Sequence, residues 1–575
     1  MTMNVSAEEA AQATLTAIRR CIDDRRSFLL EAGAGAGKTY SLVKALQYLV
    51  EQQGSDLLRR GQKVACITYT NVASAQIRSR TDDHPAILSS TIHSFCWGLI
   101  RDFQPFLRAK LPELPHWDTW LQETGGIQER RIDYDMGHPS ASGDKILLGH
   151  QDVLSLTASL MEQAKFRQRW VSRYPVLFID EYQDTDAGFV EALKTYFLDG
   201  QHGPLIGCFG DHWQQIYDTG SGKIAHERLE VIEKHVNFRS ASAIVSILNQ
   251  MRPELIQVAA HDFGEGSAVV YHTNGWEGHR LTGSAWKGDL PDDVAHDVLE
   301  RLKMQLVAKG WDFTRHKSKI LMLTHKVLAN EQGYSNIARV FGKPELYVKK
   351  EDRLIAFLIN AVEPACIAYE NRRFGELFDI VGGGRPILHS YADKMAWAKD
   401  MNNLLELRSV GLIGDVLDLL MRTSRIPMTD ALAQELSLCQ EPTSESERCQ
   451  KLRDIRCIPY REVSALFQFV TEMTPFATQH GVKGDEFENV LVVCGRGWPQ
   501  YNFGEYLRWT DADVPQNKRD FFERNRNLFY VACSRPVKRL ALLFTQELSE
   551  EAMATLSRWF GESIYPIEFS GARVR

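Results

Sequence analysis

Residues 27–39 run from Ser27 through the apolar Phe28, Leu29 and Leu30, pass through Gly33, Gly35 and Gly37, and end on Lys38 and Thr39. The helical pattern of Leu42, Val43, Ala45 and Leu46 follows at once. Strand, glycine loop, Lys-Thr and helix is the order in which a backbone wraps a chain of phosphates. The small residues Ala32, Gly33, Ala34, Gly35, Ala36 and Gly37 let N–H groups approach the phosphates, and the positive end of the next helix adds to the attraction. Lys38 is expected to reach the β- and γ-phosphates, and Thr39 to hold Mg²⁺ through its hydroxyl. A second apolar run, Val176 to Ile179, ends on Asp180 and Glu181. Asp180 suits the Mg²⁺ shell, and Glu181 suits the task of orienting or deprotonating a water. Two carboxylates at a strand end also suit a helix N-cap. With Lys38 and Thr39 upstream, ATP hydrolysis is the reading of the first half.

The elements that must hold these groups alternate short apolar strands with helices, which argues for parallel α/β sheets. Residues 7–24 have a helical pattern that carries Gln12. A second unit joins Val64–Ile67 to Thr68, Tyr69, Thr70 and Asn71 and then to a helix with Ala73, Ile77 and Arg80. A third runs from Ser90 through Thr91 and His93 to Phe95, and a fourth from Leu205–Phe209 through Gly210 and Gln214 to Tyr217. Beyond Asn237, Phe238, Arg239 and Ser240, a second α/β series contains Ile320–Leu323, Val490–Val493 and Leu540–Leu543. Residues 104–170 and 346–470 interrupt the rhythm and read as two mostly helical insertions. No short-period repeat occurs, although the two α/β halves could resemble one another in structure. Hydrolysis also calls for positive charge at the γ-phosphate. Arg239 and Arg535 in the second half are the candidates, although an isolated arginine is more often a surface ion-pair partner.

At 575 residues the chain should hold more than one domain. Its 44% apolar and 25% charged residues are ordinary for a globular protein. The net charge of −7 gives no bulk signature of nucleic-acid binding, but it does not exclude a local basic groove. The ten cysteines are scattered. Those in apolar runs, such as Cys66, Cys208 and Cys494, are expected to be buried thiols. Cys439, Cys449 and Cys457 cluster without the short paired spacing of a metal site. Neither a secretory leader nor an apolar run of ~18 residues is visible, so a cytoplasmic protein is expected.

Taken in order, the motifs at 32–39, 68–71, 91–95, 180–185, 210–217, 237–240, 478–487 and 527–535 resemble those of the UvrD/Rep/PcrA-like helicases of superfamily 1. The resemblance implies two RecA-like domains, 1A (1–103 and 171–236) and 2A (237–345 and 471–575), with insertions 1B (104–170) and 2B (346–470). It places ATP between the RecA-like domains and single-stranded DNA across their upper face. It further implies that Gln214 senses the γ-phosphate, that Arg239 and Arg535 act as arginine fingers, and that Phe238 stacks on adenine. Gln12 would read the adenine edge and Glu486 would contact the ribose. Tyr69, Thr70, Asn71, Thr91, His93, Tyr217, Thr478 and His480 fall where the family touches DNA, and aromatic and hydroxyl groups suit a sequence-independent grip.

Three departures accompany the resemblance. Ala32 stands where the phosphate loop has glycine, Thr219 where an aromatic is usual, and Asp485 where leucine is usual, near the expected DNA path. The insertions are short for complete duplex-contacting domains. The stretch after Arg535 is short for a nuclease domain, so a nuclease is expected as a partner protein. The implied activity is a DNA-dependent ATPase that translocates 3′→5′ and unwinds duplex in repair, recombination or defence. The alternative is a DNA-sensing ATPase subunit of a nuclease complex, like the compact helicase subunit of the Gabija anti-phage system.

Overall fold

The computed structural model describes residues 6–569 except 116, 124, 125, 128, 136, 138, 201, 217, 218, 261, 262, 284, 285, 382–387, 389, 441–445, 480 and 496–499. Six strands form a first sheet: β1 (Phe28–Ala32), β2 (Val64–Thr68), β3 (Ile87–Thr91), β4 (Val176–Asp180), β5 (Leu205–Gly210) and β6 (Glu230–Lys234). Six more form a second: β7 (Ser267–His272), β8 (Ser318–Met322), β9 (Phe476–Thr478), β10 (Phe487–Cys494), β11 (Pro536–Phe544) and β12 (Ile564–Pro566). The order is β3-β2-β4-β5-β1-β6 in the first and β9-β8-β10-β11-β7-β12 in the second. Numbered from its own first strand, each sheet therefore has the same order, and every pairing in both is parallel. The chain has two RecA-like α/β domains of one topology.

Helices cover both faces, which is why the central strands read as continuous apolar runs. Every residue of β1, β2, β4 and β5 is buried. Around the first sheet pack α1 (Ala7–Asp23), α2 (Lys38–Arg59), α3 (Asn71–Arg80) and α4 (Ile92–Ile100). A capping box between Ser6 and Glu9 opens α1, and the Thr70 and Thr91 hydroxyls accept from Ala73 and Ser94 N–H to open α3 and α4. In the second domain, α5 (Ser242–Met251) packs on β11, and α6 (Arg519–Cys533) packs on β10 and on α5.

In the first core Phe28, Phe178 and Phe209 interlock edge to face, with ring centroids 5.3–5.9 Å apart. Gly207 on β5 makes room for them, since a Cβ there would lie 2.7 Å from the Phe178 ring. The first insertion combines helices with a small three-stranded sheet, residues 131–133, 140–142 and 145–147, and shares a core with α4 through Trp117, Phe95 and Trp170. The second is helical and has its own core, which takes in Ala329 and Tyr334 as well as Leu417 and Leu466. Cys439 and Cys449 form a disulfide between the helices Asp430–Gln440 and Glu447–Arg456, while Cys457 is free and exposed. Cys66, Cys208 and Cys494 are buried thiols. Among the described residues no helix is long and apolar enough to cross a membrane.

Phe178→Ala is expected to lower the unfolding free energy by about 3–5 kcal/mol, by loss of transfer energy and a cavity against two fixed rings. Urea unfolding followed by circular dichroism measures this, and a loss below ~1 kcal/mol would mean that the site collapses around the smaller side chain.

Candidate functional site

In a parallel sheet all strand ends of one kind lie on one edge, so the loops after β1, β2, β4 and β5 gather there. The second domain meets them with the opposite edge. Glu486 comes just before β10, and Ser534 and Arg535 come just before β11. Between the two edges lies a cavity of about 460 Å³. The first domain lines it with Gly33, Gly35, Ala36, Gly37, Lys38, Thr39, Asp180, Glu181 and Gln214, and the second with Phe238, Arg239, Glu486 and Arg535.

The loop from Gly33 to Gly37 depends on backbone that only glycine adopts freely, with Gly35 at φ 71° and Gly37 at φ 73°. Gly37 caps α2 without a side chain and no acidic residue follows in the first turn, so the helix N–H groups are open to an anion. Residues 237–239 lie directly on the loop. Phe238 N–H donates to Gly35 C=O (2.8 Å) and Asn237 Nδ2 to Ala34 C=O (3.0 Å). A Cβ on Gly35 would lie 2.6 Å from Asn237 Oδ1. Ala32 and Ala34 bury their methyl groups beneath the loop and do not line the cavity.

Lys38 Nζ is 3.8 Å from Glu181 Oε2. Glu181 occupies the left-handed region at φ 48°, a conformation that costs a non-glycine residue about 1–2 kcal/mol. Gln183 helps to hold it there, donating Nε2 to Glu181 Oε2 (2.6 Å) while its own Oε1 accepts from Asp211 N–H (3.0 Å). Burial pushes the Glu181 carboxyl up, but Lys38 and Lys483 outweigh it and hold the group below its usual range. For Asp180, burial and the neighbouring Glu181 charge win, raising it to about 7. Asp180 Oδ1 is buried without a hydrogen-bond partner. A buried, unpaired carboxylate oxygen in the cavity that Thr39 also lines fits the oxygen donor set of Mg²⁺.

Across the cavity Arg535 is buried, and burial, with Arg239 nearby, lowers its guanidinium to about 9. It donates to Val531 C=O (2.9 Å) and to Gln214 Oε1 (3.2 Å). Arg239 is held by Glu486 (3.1 Å) and by Ser534 C=O (3.2 Å). Lys483 bonds Asp184 and donates to Gln214 C=O (2.7 Å), a second tie between the domains.

Some expectations are not met. Gln12 is exposed on α1 and is not among the cavity residues. One polar side chain on an amphipathic helix carries no sign of which way its turn faces. Tyr69 and Thr70, expected on a DNA face, line the same cavity as Lys38. The hydroxyls of Thr70 and Thr91 cap helices, and that of Thr478 accepts from Gly481 N–H (3.0 Å), so all three are engaged locally. Asn71 is exposed. His93 packs against His150 of the first insertion, with ring centroids 4.5 Å apart, and burial together with the His150 charge lowers it to about 4. Tyr217 and His480 lie outside the described residues. Asp485 lies within electrostatic reach of Arg535 and Arg239, and its backbone carbonyl accepts from Arg535 (3.4 Å).

One residue on the cavity wall and one buried behind the phosphate loop carried too little sequence signal. Tyr40 directly follows Thr39, half exposed on the cavity wall. Lys234 at the end of β6 is buried, donates to Ser41 Oγ (2.7 Å) and Gly37 C=O (3.2 Å), and lies 5.6 Å from the centre of the Phe238 ring. Burial lowers its ammonium to about 8.

The fold and the cavity define the class: a two-domain P-loop NTPase that resembles the UvrD-like helicases of superfamily 1 in architecture and in motif order. Residues 15–220 match a family model described as an AAA domain. Among curated proteins the chain is similar to the Gabija protein GajB of Bacillus cereus, 22% identical over 98% of this chain and 99% of that protein. It is also similar to the ATP-dependent DNA helicase Rep of Salmonella typhimurium, 23% identical over 38% of this chain and 40% of Rep. The PcrA helicase of Staphylococcus aureus is 21% identical over 39% of this chain and 37% of PcrA. The chain thus aligns with nearly all of GajB and with about two-fifths of Rep and PcrA.

Gly35→Ala is expected to weaken binding of a non-hydrolysable ATP analogue by ~10-fold or more, since a side chain at positive φ both strains the loop and displaces Asn237. Calorimetric titration measures the affinity, with circular dichroism as the check on folding. Unchanged affinity would show that the loop can relax around a methyl group.

Proposed function

We propose that the protein is a DNA-dependent ATPase that translocates 3′→5′ along single-stranded DNA and separates duplex. The observation that carries this reading is the single cavity in which Lys38, Thr39, Asp180 and Glu181 from one sheet edge face Arg239 and Arg535 from the other. ATP would lie with its phosphates along residues 33–37 and its base beside Phe238 and Tyr40. Lys38 would exchange Glu181 for the β- and γ-phosphates, which frees Glu181 to orient and deprotonate the attacking water. Bound Mg²⁺, held by Thr39 and Asp180, would supply charge neutralisation at the phosphate oxygens. Arg535 and Arg239 would stabilise charge developing on the transferred phosphoryl group, and Gln214 would sense the γ-phosphate. Arg239 leaving Glu486 would release that carboxylate for the ribose. The cleft closes when those arginines engage and reopens after hydrolysis, and this cycle would move the DNA held by Asn71, His93, Tyr217 and His480.

A second reading is favoured by the near-complete alignment with GajB: an ATPase subunit of an anti-phage complex that senses DNA and licenses a nuclease partner. ATPase rates with and without single-stranded DNA, beside unwinding of 3′- and 5′-tailed duplexes, separate the two. Stimulated hydrolysis with unwinding from the 3′ tail supports the translocase. Stimulated hydrolysis without unwinding supports the sensor, and no hydrolysis under either condition removes both.

Lys38→Ala and Glu181→Gln are expected to abolish turnover, the second while sparing ATP binding. Unimpaired turnover by Glu181→Gln would remove Glu181 from the base role. Arg535→Ala is expected to lower kcat by ~10³ with ATP affinity unchanged, as for arginine fingers generally. An equal loss of affinity and kcat would mark Arg535 as a ground-state contact instead.

A further inference from the structure

Arg252 follows the last turn of α5, well outside the motifs around the cavity, yet its side chain is among the most completely buried in the protein. Its guanidinium joins two separate pieces of the first domain directly and a third through Glu31. Nη2 donates to Glu31 Oε1 (2.7 Å) on β1, one residue ahead of Ala32. Nη1 donates to Asp211 Oδ1 (2.5 Å), just beyond β5. The same Glu31 accepts from Tyr182, beyond β4, and meets His212 Nδ1 at 2.8 Å. The guanidinium carbon of Arg252 lies over Trp213, 5.3 Å from its ring centre, and that of Arg526 is 4.3 Å from the same centre. Glu31, Asp211 and His212 place ligand atoms within 4.8 Å of one another, as a metal site would, and Arg252 supplies the positive charge there.

The chain of bonds continues to the cavity. Asp211 Oδ2 accepts from Gln214 Nε2 (2.7 Å), and Gln214 Oε1 accepts from Arg535 Nη2 (3.2 Å). A carboxylate only accepts and a guanidinium only donates, so the Gln214 amide has one orientation that satisfies both neighbours. Fixing Asp211 therefore fixes which end of Gln214 faces Arg535. A buried ion cluster of this kind is seldom a net source of stability compared with apolar packing, which leaves placement as its physical use.

We propose that Arg252 is a positioning residue for nucleotide hydrolysis: by holding Asp211 and Glu31 together it sets the Gln214 amide toward Arg535 and ties that pair to the strand that carries the phosphate loop. The inference rests on the proposed ATPase activity. It also makes Arg252 the member of the second domain through which the positions of β1 and the Gln214 loop are coupled.

Arg252→Lys keeps the charge but cannot span two carboxylates with a planar fork. In the full-length protein, at saturating ATP and single-stranded DNA, this variant is expected to lower kcat by ~10- to 100-fold, as for misplacement of a group by about 1 Å, while ATP affinity stays within ~3-fold. The decisive reading is a double-mutant cycle with Gln214→Ala. If Arg252 acts through Gln214, the double variant has the kcat of Gln214→Ala alone. Multiplicative losses, or a wild-type kcat for Arg252→Lys, would overturn the proposal. Should Arg252→Lys fail to fold, Asp211→Asn tests the same link at constant volume, with the same expected loss and the same non-additivity with Gln214→Ala. Turnover that depends on Lys38, together with an additive cycle, removes only the positioning role. Absence of Lys38-dependent turnover in the wild-type protein removes the ATPase reading and this role with it.

Discussion

The organising constraint is charge at a seam. Lys38, Asp180 and Glu181 on one sheet edge, and Arg239 and Arg535 on the other, are held in a partly dry space where an unpaired charge is expensive. In this arrangement each finds a protein partner or, for Asp180 Oδ1, a position suited to a cation. Lys38 leans on Glu181, Arg239 on Glu486, and Arg535 on Gln214 and backbone carbonyls. Such pairs are exchangeable. A triphosphate offers each cation a stronger partner, so binding and domain movement are linked through the same set of bonds.

The two sheets have one strand order but meet with opposite edges. That arrangement explains why residues so distant in sequence act together: the first domain offers the ends of β1, β4 and β5, where glycine turns and carboxylates sit, and the second offers the starts of β10 and β11. The glycine loop is shaped from both sides. Its own residues adopt positive φ, and Asn237 to Arg239 bear on it so closely that a methyl group has no room at Gly35. Strain is stored beside it at Glu181 and is offset by the bonds that Gln183 makes in two directions.

Local capping competes with ligand contact along the same edge. Thr70, Thr91 and Thr478 have the right type and position for phosphate contacts, but their hydroxyls satisfy helix or turn N–H groups. Tyr69, Thr70 and Asn71 are all exposed, so capping engages the Thr70 hydroxyl without hiding its side chain. The priority of capping follows from the cost of an unpaired N–H at a helix start, which is met first by the nearest hydroxyl.

Much of the site was legible from residue order alone. Strand, glycines and Lys38-Thr39, then Asp180-Glu181 after an apolar run, specify phosphate and cation chemistry because local backbone geometry does most of the work there, and residues close in sequence carry it. Alternating strands and helices likewise determined two parallel α/β domains. What only the tertiary structure decided was which side chains meet across long separations. Gln12 lay on an amphipathic helix whose rotation no pattern specified. The fold buries Lys234 and Arg252, and Lys483 meets Asp184 and Gln214 only across the seam between the domains. The placement of a single charged side chain depends on desolvation and on partners up to a few hundred residues away, and neither is written in its neighbours.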